Sequence, residues 1–524
     1  MSLGIFDRDG GVAAIILNER PRGWVNTPET EIADNEGRLL ANVNFVNAVK
    51  TAYPKGGIAW NAVGYLYSRG VRDSLIWNVF YWAGRLPGEF RHNLSKVIGA
   101  GMRKLVGQDG RPELYVDLGR AGGFLEVVDK SGFDKEVEEW LFSDRTWAPA
   151  DDPLFIDGMV DVLSSHLGNF STNAVSFREF LRMPSLYGTT GSSTRKRKLV
   201  NFGKILTLRN KWVLTHSVSV PQLERNVMRS YRKPQELRVI EKREQEKIRP
   251  VVGDSDERYL VGKYLLHHMM MGSSAEGPLT LFWRNERYVD HFSRVRGGLR
   301  AGRWSCPVDI AGFDQWVSLG CFRAALKAIE IAVLRWCGLK DGDLWSDDPR
   351  TSVSGAAQWL VDTPYSILKG RLVTSGMISG LILTSLVDSL INVGIARYIT
   401  RIRNIVLLSP ANMGDDADGS VSSHREAVSL FVGYESAGVP MNAKKNFASR
   451  VGGEYLRFVS TRQATFGYLG RAIGTLLFRS PLTSDSGEGE LDEVIGRWAT
   501  VQARGLGWPV VRTWLVEELV KHPL

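Results

Sequence analysis

The stretch NMGDDADG, Asn412 to Gly419, sets two adjacent aspartates behind a glycine and adds a third two residues on. Each carboxylate raises the cost of ionising the next. A chain with this run must leave it in solvent as a turn, or fold so that positive charge is brought to it. Asn, Gly and Asp are turn-favouring residues, and a Gly-Asp-Asp triplet alone does not separate the two readings. A divalent cation bound by hard carboxylate oxygens would relieve the repulsion, but it needs ligands from elsewhere in the chain. On that reading the fold must bring distant segments together at Asp415 and Asp416.

A candidate partner lies upstream. RWSCPVDIAGFDQWVSLG carries a short apolar run from Trp304 to Val308 that ends at Asp309, with Asp314 five residues later. The following stretch places Phe322, Leu326, Ile329, Ala332 and Val333 at helical spacing and predicts a buried helix. A strand that delivers Asp309 at its end, then a turn and a helix, presents a carboxylate to a metal; the alternative is an aspartate capping the helix. Between the acidic sites, TSGMISGLILTSLVDSLINVGIARYI predicts a glycine-serine loop and then a helix from Leu381 onward. In it Thr384 and Asn392 have a structural alternative, bonding to their neighbours. Ser423 to Glu426 forms a capping-box pattern that opens another helix. Pro410, close before the triplet, predicts a bulge in the strand leading to it.

Composition narrows the classes. At 524 residues the chain is long enough for two to four units sharing substantial cores. Its three cysteines, Cys306, Cys321 and Cys337, are too few and scattered for a disulfide framework or a CxxC-type metal site, which suits a reducing compartment. The first residues carry acidic groups where a signal peptide needs a basic flank, and the most apolar long stretch is interrupted by Ser, Thr, Asp and Asn, so no membrane partner is expected. The net charge of +9 favours a polyanionic partner. Basic residues concentrate in Arg195, Lys196, Arg197 and Lys198 and again in Arg229 to Pro250. The second stretch reads either as a solvated helix face with Glu–Lys pairs or as a phosphate-binding path.

The order of these blocks resembles viral RNA-dependent RNA polymerases. Asp309 and Asp314 look like their motif A; Ser379-Gly380, Thr384, Ser389 and Asn392 like motif B; Gly414-Asp415-Asp416 like motif C; Lys445 in NAKKN like motif D; and EYLRF like motif E. KREQEKIRPVV is similar to motif F, and TTGSSTRKR resembles motif G. The likeness runs from about residue 189 to 458 and is strongest to polymerases of double-stranded RNA viruses, the picobirnavirus and partitivirus groups.

The resemblance implies an α+β fold, a closed right hand with an antiparallel palm sheet backed by helices. Residues 1–75 would bridge fingers and thumb and 76–265 form fingers. Residues 266–450 would form the palm, with a fingers segment near 325–375, and 451–524 would hold motif E and the thumb. It implies Asp309, Asp415 and Asp416 as ligands of Mg2+, with Mn2+ fitting the same oxygens, and Lys445 as proton donor to the leaving group. Lys247 and Arg249 would neutralise the triphosphate. Asp314 and Asn392, helped by Ser379 or Thr384 in the loop at Gly380, would read the 2′-hydroxyl. Arg195 to Lys198 would guide the RNA template. Asp418 has no family role and reads as a solvated turn residue. Expected partners are RNA template and product, ribonucleoside triphosphates and a viral capsid protein, in the host cytoplasm and within the virion. A reverse transcriptase, or a non-enzymatic RNA-binding or capsid-associated protein, remains the alternative.

Overall fold

The computed structural model describes residues 132–468, except 144, 189–191, 202–203, 212–216, 245–246, 275, 376–379 and 444, together with 31–33, 39–42, 99, 101 and 103; the side chains of 192–210 and 242–249 lie outside the description. The chain divides into two units. One comprises Met1–Val128, Arg243–Lys247 and Leu456–Leu524, the other Asp129–Lys242 and Ile248–Tyr455. In the first, β1 (Glu31–Ala33) and β2 (Leu39–Asn42) form an antiparallel pair.

The second unit holds most of the motif-like residues, while Lys247 and the last three residues of EYLRF fall in the first. Its elements run α1 (Phe133–Phe142), α2 (Pro153–His166), β3 (Ser192–Asn201), β4 (Lys204–Asn210) and α3 (Val220–Ser230). Then come β5 (Arg238–Glu244), β6 (Lys247–Gly253), α4 (Asp256–Met271) and α5 (Asn285–Arg300). The charged stretch after Ser230 is extended, with β5 and β6 pairing as a ribbon, so the solvated-helix alternative for it does not hold. Short β7 (Trp304–Ser305) and β8 (Val308–Asp309) lead through α6 (Phe313–Trp316) into α7 (Leu319–Cys337) and α8 (Pro349–Asp362). The chain continues as α9 (Thr384–Arg403), β9 (Leu408–Met413), β10 (Asp416–Val421), α10 (His424–Ser436) and β11 (Gly452–Tyr455). In the first unit, β12 (Phe458–Thr461) and β13 (Thr465–Gly467) form an antiparallel hairpin.

The helices begin where local chemistry favours it. Ser318 accepts from the Cys321 amide to start α7, and Ser423 and Glu426 close the expected capping box of α10. All five residues that mark the α7 periodicity are buried. They join one large core with α2, α8, α9 and α10. In the central sheet β9, β10 and β7 lie in that order, all antiparallel, and β8 also pairs with β10. Side chains alternate along a strand. Ala417 and Val421 of β10 therefore enter the main core, while Asp418 on the other face meets α5. The β9–β10 register shifts between Leu408 and Ala411, where Ser409 has φ +50°, so the bulge predicted at Pro410 is present.

Candidate active site

The β9–β10 hairpin carries the acidic run at its tip. Met413 pairs with Asp416, leaving Gly414 and Asp415 as a two-residue turn. Gly414 has φ +60° while Asp415 keeps a negative φ, the pattern in which glycine is favoured at the first turn position. Asp415 is exposed at the tip. Asp416 lies directly across from Asp309 in the β10–β8 pairing, so two residues far apart in sequence present carboxylates side by side.

Buried groups on α9 fix the turn. The Gly414 amide donates to Ser389 Oγ at 2.8 Å, and Asn392 Nδ2 donates to the Gly414 carbonyl at 3.1 Å. Both backbone polar atoms of Gly414, one from each of its flanking peptide units, are therefore held from the same helix. Asn392 Oδ1 is buried without a partner. One turn earlier Asp388, also buried, has an unpartnered Oδ1. Burial pushes its carboxyl well above the usual carboxylate range, and the charges of Asp314 and Asp415 push the same way. Sequence reasoning used Asp388 only as an interruption of an apolar stretch. A carboxylate flanked by Val387 and Ser389 inside a buried helix was the available signal.

Asp309 is 7% exposed and held on every side. Asn442 Nδ2 donates to its Oδ1 at 2.7 Å, the Lys445 ammonium pairs with its Oδ2, and Asn446 bonds both its amide and its carbonyl, at 2.6 and 3.0 Å. Asn442 and Asn446 were not singled out from sequence; their spacing around Lys445 in MNAKKN was the only trace. Asp314 lies half-buried in α6, its carbonyl accepting from Trp140 Nε1 at 2.9 Å. Thr384 opens α9 and its Oγ1 donates to the Leu381 carbonyl at 2.9 Å.

Gly380 packs against β6. A Cβ there would stand 1.7 Å from the Val252 carbonyl oxygen, so any side chain would drive the loop off the strand. Ser379 lies outside the described residues. Lys247 and Arg249 fall on β6 and Arg195 to Lys198 on β3, and their side chains lie outside the description. Asp418 departs from expectation. It is 4% exposed on β10, not in a solvated turn, and its Oδ2 is 3.2 Å from His291 Nε2 on α5. The alternation that points Asp416 and Asp418 to one face carries the third aspartate under the helix.

Asp309, Asp415 and Asp416 carry hard carboxylate oxygens, the donor type that a divalent cation such as Mg2+ or Mn2+ takes. Among the described residues no three His, Cys, Asp or Glu side chains gather closely enough to enclose an ion. The seating of the Lys445 ammonium on Asp309 shows nonetheless that this carboxylate presents itself to a cation.

A family model described as viral RNA-directed RNA-polymerase matches residues 351–477, a span that includes α9, the Gly414 turn and Lys445. A probable RNA-directed RNA polymerase of Giardia lamblia virus (isolate Wang) is 27% identical over 325 residues. The match takes in 59% of this chain and spans 16% of that relative's length. Two crystal structures of the RNA-dependent RNA polymerase of a human picobirnavirus, one an insertion-loop deletion mutant, align with TM-scores of 0.53 at 13% and 12% identity. They cover 89% and 90% of this chain and 82% and 88% of their own. The fold is that of a viral RNA-dependent RNA polymerase. The resemblance to viral RNA-dependent RNA polymerases read from the motifs is thus borne out, and the fold is of the expected class. Asp309 and Asp314 lie outside the span of the polymerase family match, and for Asp309 the register against Asp416 supplies the link.

Proposed function

We propose that this chain is an RNA-dependent RNA polymerase that copies a viral RNA template from ribonucleoside triphosphates and releases pyrophosphate. The observation that carries the reading is the opposition of Asp309 and Asp416 across β8 and β10, with Asp415 in the adjoining turn clasped by Ser389 and Asn392. These three aspartates would hold two divalent ions, Mg2+ or Mn2+, which when bound stabilise the attacking and leaving oxygens of an in-line displacement at phosphorus. Asn442 and Asn446 orient Asp309 for that task. Lys445, paired with Asp309, would give a proton to the departing pyrophosphate. Lys247 and Arg249 on β6 would neutralise the triphosphate, and Arg195 to Lys198 would track the template backbone.

Sugar selection falls to Asp314, with Asn392 dividing its amide between the turn and the substrate. Nδ2 holds Gly414, and the buried, unpartnered Oδ1 is the acceptor left for a hydroxyl. The domain reading follows the family plan, with fingers at 76–265, palm at 266–450 and thumb after 451. By the same reading the enzyme works in the host cytoplasm, inside a virus particle with a capsid protein as neighbour. No helix among the described residues is long and apolar enough to cross a membrane.

Incorporation of paired ATP and dATP, by the purified chain on RNA and DNA templates, tests the proposal. RNA-templated incorporation favouring ATP is expected, with the preference reduced roughly 5- to 150-fold in Asp314→Ala through loss of a buried hydrogen bond. A wild-type preference for dATP would move the chain to reverse transcription, and absence of incorporation with RNA binding intact would favour a non-enzymatic role.

A further inference from the structure

The His291–Asp418 pair has no part in the roles assigned above. Both side chains are buried, and the His291 ring lies between Trp283 and Tyr455, with centroids 5.3 and 5.4 Å away. Tyr455 Oη is 2.9 Å from Thr280 Oγ1, which donates at 3.3 Å to the Asn412 carbonyl on β9. His291 Nε2 and Asp418 Oδ2 share one hydrogen bond at 3.2 Å. His291 Nδ1 and Asp418 Oδ1 are buried without partners. A buried polar pair with orphaned atoms is seldom better for stability than well-packed aliphatic side chains of the same volume.

What distinguishes the pair is its place. Asp418 follows Asp416 by two residues on the same face of β10, and Asp416 is the cross-strand neighbour of Asp309. A slip of one residue along β10 would turn Asp416 to the opposite face. Such a slip would also carry Ala417 and Val421 out of the core, so burial opposes it; the hydrogen bond of a wedged ring adds a directional hold against the smaller shifts that burial tolerates. We propose that His291 and Asp418 are a positioning pair for the polymerase site, fixing β10 against α5 so that the Asp416 carboxylate stays opposite Asp309. The proposal rests on the polymerase reading above.

The test uses the full chain in single-nucleotide extension at saturating metal, with hydrogen exchange of the peptide spanning residues 412–418 measured without nucleotide. His291→Phe fills similar space without the donor. It should lower kcat about 10²-fold, the scale of a small misplacement of a reacting group, and leave the nucleotide KM unchanged. His291→Gln retains an N–H donor and should recover most of that loss. Asp418→Leu should match His291→Phe, and the double variant should lose no more than either single one. Exchange across the hairpin should quicken in His291→Phe but not in His291→Gln.

Normal kcat in His291→Phe, or equal losses in the Phe and Gln variants, would overturn the proposal. Should Asp418→Leu fail to fold, the Phe and Gln comparison decides alone. A wild-type chain that adds no nucleotide would defeat the polymerase reading instead, while unchanged exchange in His291→Phe would sink the positioning pair independently.

Discussion

Helices α7 and α9 are 19 and 20 residues long and run through the same core, yet they bury different chemistry. The inner face of α7 is Cys, Phe, Ala, Leu, Ile and Val, and its one buried charge, Glu330, is paired with Lys327. α9 buries Asp388, Ser389 and Asn392 among its leucines and isoleucines, and two of their oxygens have no partner. A buried orphan acceptor costs about 1–3 kcal/mol, so α9 is less stable than its length and packing permit. The difference separates two tasks: α7 holds the unit together, and α9 trades some of that cohesion for a grip on the Gly414 turn.

The comparison breaks most severely at the turn itself. Asp415→Asn should lower nucleotide addition by at least about 10³-fold while template affinity, which comes from basic groups, stays near normal. Near-normal turnover in an extension assay would remove Asp415 from the chemistry. Next in size, Ser389→Ala combined with Asn392→Ala releases both atoms of Gly414. The expected fall in kcat is about 10²-fold, with a smaller change in the urea midpoint than a core truncation gives. A large loss of stability with unchanged kcat would place α9 in the same class as α7.

Ile329→Ala sharpens the contrast from the other side. It should cost about 2–5 kcal/mol of stability through the cavity it leaves, with kcat of the folded fraction retained. The last contrast is in pH dependence. His166 accepts from the Leu279 amide at 2.8 Å and His268 from the Val175 amide at 3.2 Å, and burial lowers both pKa values from 6.5 to about 4. The unfolded imidazoles take up protons as pH falls below about 6.5 while the folded ones do not. The stability they support is therefore complete above that pH and drains away between about 6.5 and 4. Urea midpoints measured across that window should fall, and a His166→Gln/His268→Gln variant should show a flatter profile.

Much of this was legible because it depends on local rules. The α7 periodicity, the α10 capping box, the strand ending at Asp309 and the bulge at Pro410 all follow from residues a few positions apart. Asp418 was misread because its environment is set by α5, more than a hundred residues upstream, and by a strand parity that the motif order does not state. Asn442, Asn446 and Asp388 escaped for a related reason: each acts through a contact with a distant backbone or charge. Asn392 was noticed for its motif position, but its hold on Gly414 appears only once α9 and the hairpin are packed together.

The bulge at Ser409 and Pro410 has a consequence beyond the local register. β9 is an outer strand of its sheet, and an outer strand with free amides and carbonyls is a template on which another chain can add. Here Pro410 has no amide to offer, the bulge breaks the ladder beside it, and further along the Asn412 amide is taken by the Pro278 carbonyl. This rim of the sheet is thus blunted against strand addition without a covering strand of its own, by the same short segment that carries the chain into the Gly414 turn.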